Sequence, residues 1–430
     1  MQKYYTPKRI DYQVLYKNSH RKDSIMKVAA IISEYNPFHN GHKYQIDKIR
    51  EILGEDTAII AIMSGNFTQR GEIAIADKTV RAASAVECGV NLVLELPFPF
   101  SMSSAEFFAK SGVRIASKLC IVDYLVFGSE CGNIIELSNI ADAMSSPEYD
   151  LELDCLRSKP ENRDRGYPEL CEMALKAVYG KDVPISLSSP NNILAIEYIK
   201  AISAEGSNIS PLTIKREGAG YLDFINPMAE FQSASAIRDE LFANNFSAFD
   251  YLPENAGIIY NNAIANGKMP ADSSRLDTAV ISFFRLNSPE VDVDIHDASG
   301  GLYNRLCDKS AEASSISSLT ALAETKKYTK ARIRRAIWNS YFGVTSSDVR
   351  ELPLYTQVLA MDFIGRSVLK KIKKMSDFPI ITKPSAYKEL GSGIIRQKEL
   401  SNKADAIYGL TLNVPNPGSF PLTFTPYVKD

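Results

Sequence analysis

The chain is short of the residues that most often announce chemistry. Its 430 residues include four histidines, six cysteines and one tryptophan. Cys88, Cys120, Cys131, Cys155, Cys171 and Cys307 show no Cys-x-x-Cys spacing and have no histidine nearby. That pattern excludes a sequence-legible metal site and reads as reduced thiols of a cytoplasmic protein. A Gly-x-x-x-x-Gly-Lys-Ser/Thr string is missing, which excludes a P-loop ATPase, and no Gly-x-Gly-x-x-Gly follows a strand, which disfavours a dinucleotide oxidoreductase. No Ser/His/Asp set is indicated, because His20 sits in a loose polar segment and His296 in an Asp-rich turn expected to be solvated. Long apolar runs and a signal peptide are lacking too, so no membrane partner is expected. Neither sign of charge dominates: 49 Lys and Arg against 51 Asp and Glu leave a net −2. Any nucleic acid must therefore be met by a local patch. Hydrophobic residues make up 45%, enough for a sizeable core and two domains.

What is present is concentrated. Two of the four histidines bracket a glycine in Glu34-Tyr35-Asn36-Pro37-Phe38-His39-Asn40-Gly41-His42. The run Val28–Ile32 before it reads as a buried parallel strand. After it, Tyr44, Ile46, Ile49 and Ile52 recur at helical spacing between charged residues. The histidines thus stand where a strand ends and a helix begins, a junction that aims N–H groups and the positive helix end at one spot. Imidazoles there can donate to phosphate oxygens as charge builds on a nucleotide. Gly41 allows a close approach to the backbone.

From Met26 onward strand and helix patterns alternate. Strands are expected at Thr57–Met63, Asn91–Leu96, Asp123–Phe127 and Leu212–Lys215, with helices at Lys78–Cys88 and Ser103–Lys118 and others opening near Ser189 and Ser233. Repeated β–α units imply α/β architecture with a doubly wound parallel sheet, whose ligands bind beyond the carboxyl ends of the strands. The two histidines, the Ser64–Gly71 loop and Gly128–Glu130 should share that rim. After about residue 250 the alternation stops and mostly helical patterns take over. The organisation expected is an extension over residues 1–25, disordered or added by an upstream start, then an activating domain over 26–250 and a mostly helical domain over 251–430.

Several positions carry both a functional and a plain reading. Ser233-Ala234-Ser235-Ala236-Ile237-Arg238 resembles the second signature of nucleotidyltransferases, in which hydroxyls and one cation receive pyrophosphate; otherwise it is a helix cap. Gly128 lets a base or ribose lie on the backbone, or marks a turn. Asn191 and Asn192 read the nucleotide or cap a helix. Arg216 holds a phosphate or pairs with Glu217. Arg70, Asp77 and Lys78 are candidates for an acceptor pocket, with Glu95 and Glu106 less sharply indicated. Lys326-Lys327-Tyr328-Thr329-Lys330-Ala331-Arg332-Ile333-Arg334-Arg335 packs its cations without a carboxylate, and Arg366 to Lys374 adds more. Two such runs suggest an RNA-binding surface. Arg332 and Arg335 should share a helix face, and reversing their charge should block RNA modification while sparing activation.

The strings EYNPFHNGH (34–42), MSGNFTQRGE (63–72), LVLELPFPF (92–100), SSAEFFAKSGV (103–113), FGSE (127–130), SPNNILAIEYIKA (189–201), IKREGAGY (214–221), SASAIR (233–238) and KYTKARIRR (327–335) resemble the bacterial tRNA(Met) cytidine acetate ligase family. Within the nucleotidyltransferase superfamily that resemblance implies the His-x-Gly-His α/β domain followed by a helical domain. It implies ATP, with Mg²⁺, acetate and elongator tRNA(Met) as partners. Acetate is activated as acetyl-adenylate, and the acetyl group passes to N4 of the wobble cytidine. It further implies ATP contacts at Ile32, Ser33, Glu34, Tyr35, Asn36, Pro37, Phe38, His39, Asn40, Gly41, His42, Lys43, Tyr44 and Gln45, at Gly128, at Asn191 or Asn192, and at Arg216. Ser235 and Arg238 join them through the second signature, and Lys326, Lys327, Lys330, Arg332 and Arg335 face tRNA. His39 and His42 carry the catalysis. The competing reading is a small-molecule adenylyltransferase, which has no need of the basic runs. Since no ligand-spaced set of cysteines or histidines exists, elemental analysis of the purified protein should find no stoichiometric zinc or iron.

Overall fold

Short β-branched and aliphatic runs become strands wherever both of their faces can be covered. In the computed structural model, which describes residues 26–162, 165–180, 183, 189–216, 231–243, 245–287 and 294–429, they do so as expected. Strands β1 (Val28–Ser33), β2 (Ala58–Ser64), β3 (Leu92–Leu96), β4 (Tyr124–Ser129) and β5 (Ser210–Lys215) alternate with helices α1 (Asn40–Leu53), α2 (Lys78–Glu87) and α3 (Ala105–Lys118). All pairings among these strands are parallel, in the order β5-β4-β1-β2-β3. The order in which strands are added therefore reverses between β1 and β4. The expected extension over 1–25, the Ser186–Ser188 segment and Glu217–Tyr221 lie outside the described residues.

The period of two along each strand divides the core. Ala29, Ile31, Ile59, Ala61, Met63 and Val93 face one layer with Ile46, Ile49, Ala82 and Val86 from α1 and α2. On the other face Ala30, Ile62, Leu125 and Phe127 meet Val113 and Ile115 of α3 and a helical block. That block comprises α4 (Ile134–Met144), α5 (Pro147–Ser158), α6 (Tyr167–Tyr179) and α7 (Pro190–Ala204). After α8 (Ala234–Phe242), helix α9 (Glu254–Ala265) packs on the α2 side through Ala256, Tyr260 and Ala263. Helices α10 (Asp277–Leu286), α11 (Leu302–Ser310), α12 (Ile316–Ala323), α13 (Lys330–Phe342) and α14 (Ser346–Arg350) come next. They gather around Trp338, Phe284 and Leu319, and their cluster reaches Phe67 and Phe98 of the rim loops.

One departure concerns the second half. Helices dominate it, yet Thr356–Met361 forms β6, antiparallel to β3, and extends the same sheet. Strands β7 (Ile380–Ile381) and β8 (Tyr427–Val428) pair with β6, separated by helices α15 (Phe363–Met375), α16 (Ser392–Tyr408) and α17 (Phe420–Thr423). The run TQVLAM gives no helical period, and only a partner edge far earlier in the chain makes it a strand. Gly365 at the start of α15 sits against the Asn91 carbonyl, where a Cβ would lie 1.8 Å away. A boundary near residue 250 therefore does not separate the sheet from the second half of the chain.

The halves are also joined by charge. Lys78 Nζ donates to Glu95 Oε1 at 2.6 Å and to Asp405 Oδ2 of α16 at 2.5 Å. All three are buried. Asp77 caps α2 by accepting from the Thr79 N–H. These residues hold the frame together and do not line an acceptor pocket, while Glu106 pairs at the surface with Lys110. Lys78→Met would strand two buried carboxylates and should cost about 3–5 kcal/mol of unfolding free energy. Replacing Lys78, Glu95 and Asp405 together by apolar residues should cost less, and urea titration of both variants decides.

Candidate nucleotide-binding site

The reversal of strand order between β1 and β4 opens a crevice at their carboxyl ends, the usual seat of a ligand in such sheets. A cleft there is lined by His39, Gly41, His42, Tyr44 and Gln45 after β1, and by Gly128 at the end of β4. Ile214, Lys215 and Arg216 at the end of β5, with Phe231 and Gln232 ahead of α8, complete it.

The histidines are set by the helix they open. His39 is the N-cap of α1: its Nδ1 accepts from the Gly41 N–H at 3.1 Å. His42 Nδ1 accepts from the His39 N–H at 3.2 Å. This is a capping box built from imidazoles. An Nδ1 that accepts places the proton on Nε2, so each neutral ring presents an N–H donor on its opposite edge. The rings stack with centroids 3.8 Å apart. Burial lowers the His39 pKa to about 3, with Arg216 and Arg238 adding to the effect. His42 is pushed down in the same sense by burial, by His39 and by Arg216. Two stacked imidazolium ions would repel each other beside two guanidinium groups, so both rings stay neutral. The space over Gly41 belongs to the His39 ring, since a Cβ there would come within 3.0 Å of its Cε1.

Residues outside the motif fix its path. Asn36 Oδ1 accepts from the Ile75 N–H, and the Phe38 N–H donates to the Tyr260 hydroxyl of α9, both at 2.8 Å. Tyr35 takes φ +47°, a left-handed conformation that a side-chain residue keeps only where its surroundings impose it. The fully buried Arg81 guanidinium donates to the carbonyls of Glu34, Ser64, Gly65 and Ala76. Arg238 donates to the Asn36 carbonyl at 2.9 Å. Glu34 Oε1 accepts from the Gln69 N–H at 2.8 Å, and burial raises its pKa. Sequence reasoning missed Arg81 and Tyr260. The alanine-rich face of α2 was the available signal for a buried Arg81.

The remaining candidates divide. Arg216 lays its stem over Gly128, where a Cβ would meet Arg216 Cγ at 3.1 Å and press on that stem. Asn192 is buried and works on the protein itself, accepting from the N–H groups of Glu130 and Cys131 at 3.0 and 3.2 Å. The Glu130 carboxylate returns the contact to the N–H groups of Asn191 and Asn192. Asn191, half-buried, is the member of the pair nearer to solvent. Ser235 Oγ lies 3.1 Å from Ser233 Oγ, which caps α8. Tyr44 packs on Phe231, whereas Lys43 pairs outward with Asp47 at 2.6 Å. Ile32 and Ser33 are strand residues, and Ile32 packs on Gly112.

The HIGH Nucleotidyl Transferase family model matches residues 26–418. A tRNA(Met) cytidine acetate ligase from Acetivibrio thermocellus is 36% identical over 91% of this chain and 96% of the relative. One from Syntrophomonas wolfei is 33% identical over 92% and 96%. The crystal structure of Thermotoga maritima TmcAL bound with alpha-thio ATP superposes with a TM-score of 0.86 at 31% identity, covering 94% of this chain and 99% of that one. This chain belongs to the tRNA(Met) cytidine acetate ligase family.

For a member of that family the basic run on α13 is of particular interest, and the structure alters its reading. Arg335 is 9% exposed. Its guanidinium pairs with Asp297 at 2.6 Å and donates to the Gln69 carbonyl at 3.4 Å. Arg332 donates to the carbonyls of Asp297 and Ser299. The two do share a face, but it turns inward, and the carboxylates missing from the run come from elsewhere. Arg335 thus braces the rim loop and is not offered to RNA, so its charge reversal would not spare activation. Lys326, Lys327 and Lys330 are exposed. On α15, Arg366, Lys370, Lys373 and Lys374 are exposed and Lys371 half-exposed, none with a carboxylate partner among the described residues. His296 is largely buried against Phe107, and burial lowers its pKa; it is not the solvated residue expected.

Both downward shifts at His39 and His42 act in one direction. The stability that neutral rings contribute is complete above the ordinary histidine pKa of ~6.5 and is lost as pH falls below it. Nitrogen NMR of histidine-labelled protein should show two rings in the Nε2–H tautomer, unchanged from about pH 8 to about pH 5.5. Titration of either ring near pH 6.5 would refute the neutral assignment.

Proposed function

We propose that the chain is an ATP-dependent tRNA(Met) cytidine acetate ligase. An acetate oxygen attacks the α-phosphorus of ATP, the bond to the bridging oxygen breaks, and pyrophosphate leaves. The N4 amine of the wobble cytidine of elongator tRNA(Met) then attacks the acyl carbon, AMP departs with the bonding pair, and the amine loses a proton. The observation that carries this reading is the pair of neutral, stacked imidazoles with Nδ1 anchored on backbone N–H groups at the sheet's reversal point.

A carboxylate attacking phosphorus needs no protein nucleophile; it needs positioning and relief of the charge that builds on the α-phosphate oxygens. The Nε2–H donors of His39 and His42 are held before the reaction and need not reorganise during it. Arg216, its stem laid over Gly128, supplies a cation at the same cleft. Arg238 receives pyrophosphate charge beside the motif. Mg²⁺ would arrive on ATP, held by phosphates and water; among the described residues no three carboxylate, cysteine or histidine side chains gather to cage it. The exposed cations of Lys326, Lys327, Lys330 and helix α15 are the side chains offered to tRNA phosphates. A small-molecule acceptor would leave them without a purpose.

His39→Ala and His42→Ala should each lower acetate-dependent ATP–pyrophosphate exchange by at least ~10²-fold, as for lost preorganised donors. A nucleoside digest of treated tRNA, read by mass, should contain N4-acetylcytidine with the wild type and none with either variant. Near-normal exchange in both variants would remove the phosphate role. Exchange with some other carboxylate in place of acetate would change the substrate.

A further inference from the structure

The loop Thr68–Glu72 stands between two parts of the molecule and is bonded to both. On one side is α13. The Gln69 carbonyl accepts from Arg335 at 3.4 Å, the Gly71 carbonyl from Trp338 Nε1 at 3.1 Å, and Glu72 Oε1 from Arg334. Gly71 has φ +73°, and a Cβ there would lie 2.6 Å from the Arg335 nitrogen, so the loop is pressed directly on the helix. On the other side is the nucleotide site. The Gln69 N–H donates to Glu34 at 2.8 Å, and Glu72 Oε2 accepts from Arg238 at 3.2 Å. The turn is closed on itself by the Thr68 N–H to Glu72 carbonyl bond at 2.9 Å, which fixes its shape between the two.

Glu72 is the narrowest point of this arrangement. One carboxylate serves two guanidinium groups, one oxygen each. Arg334 belongs to the helical half, and Arg238 also grips the Asn36 carbonyl of the motif. Neither cation pairs with another carboxylate among the described residues. A planar carboxylate shared in this way fixes its two cations relative to each other.

We propose that Glu72 is a positioning residue for the nucleotide reaction, the joint through which helix α13 sets the place of Arg238. It rests on the adenylate-forming reading above. Glu72 touches no reacting atom. It holds Arg238 where the departing pyrophosphate charge appears, and Arg334 holds Glu72. The basic run of α13 thereby contributes to activation of the carboxylate before any RNA is present.

The test is a double-mutant cycle on the full chain, without RNA, using Glu72→Gln, Arg334→Ala and both together. The readouts are kcat and the KM for ATP in acetate-dependent pyrophosphate exchange, equilibrium binding of a non-hydrolysable ATP analogue, and the melting temperature. Each single variant should lose roughly tenfold in kcat with little change in KM, as for a misplaced but present group. The double variant should lose no more than either single one. Arg334→Lys, which keeps a cation opposite Glu72, should restore most of the Arg334→Ala loss. Melting temperatures should barely move, because half-exposed ion pairs add little stability. Unchanged kcat in the single variants, losses that multiply in the double one, or losses that follow a falling melting temperature would each overturn the proposal. If the wild type supported no exchange with any carboxylate, the reading of the reaction would fail instead. Equilibrium binding of the analogue, like the KM, should change little in the Glu72 and Arg334 variants, and a large loss of binding in either would overturn the kcat assignment.

Discussion

The geometry of the site depends on one buried guanidinium. Arg81 is fully enclosed, and four backbone carbonyls from three separate segments accept its protons. An arginine in such surroundings remains charged, so removing it from water is tolerable only because carbonyl dipoles replace the solvent around most of its donors. The consequence is topological. The carboxyl ends of β1 and β2 and the approach to α2 converge on one planar group with fixed donor directions. With the Glu34 carbonyl held, the chain turns through the left-handed Tyr35 and reaches His39 in the extended conformation of an N-cap. The histidines are accurate because the segment before them has nowhere else to go.

Much of the frame was legible in the sequence. The five parallel strands and their helices arise from aliphatic runs punctuated by glycine and cap residues, and the rim that unites His39, Gly128 and Arg216 arises from β–α alternation. What could not be read was whatever depended on distant partners. Strand β6 has no local signature and exists because β3 offers an edge. Lys78 looked available to a substrate because its two carboxylates lie 17 and 327 residues away. The basic run on α13 looked bare for the same reason, as Asp297 and Glu72 are not its neighbours in sequence. Charge runs are read from one segment, while ion pairs are made between segments.

In the proposed reaction, cations and neutral donors divide the work in the cleft. Arg216 binds ATP phosphates in the ground state and the transition state alike, which by itself lowers KM more than it raises kcat, whereas Arg238 meets charge that appears only as pyrophosphate leaves and so acts on kcat. Burial keeps His39 and His42 uncharged, with Arg216 adding to the effect at both rings and Arg238 at His39. A neutral N–H gains most where negative charge grows during the reaction, so the imidazoles respond to the change more than to the resting phosphate. Arg216 therefore anchors the nucleotide and reinforces the neutral state that burial gives the groups acting on it.

The second half is built into this frame. It supplies β6 to the sheet, Asp405 to the buried charge cluster, Tyr260 to the Phe38 N–H, and α13 to the rim loop. A tethered RNA-binding module would make none of these contacts with the catalytic frame. Acyl-adenylates hydrolyse when they wait in water, and a two-step transfer benefits when its acceptor is held in a fixed relation to the activated group. In the proposed reaction that relation rests on continuity of the sheet, which fixes helices α13 and α15 relative to the His39–His42 motif.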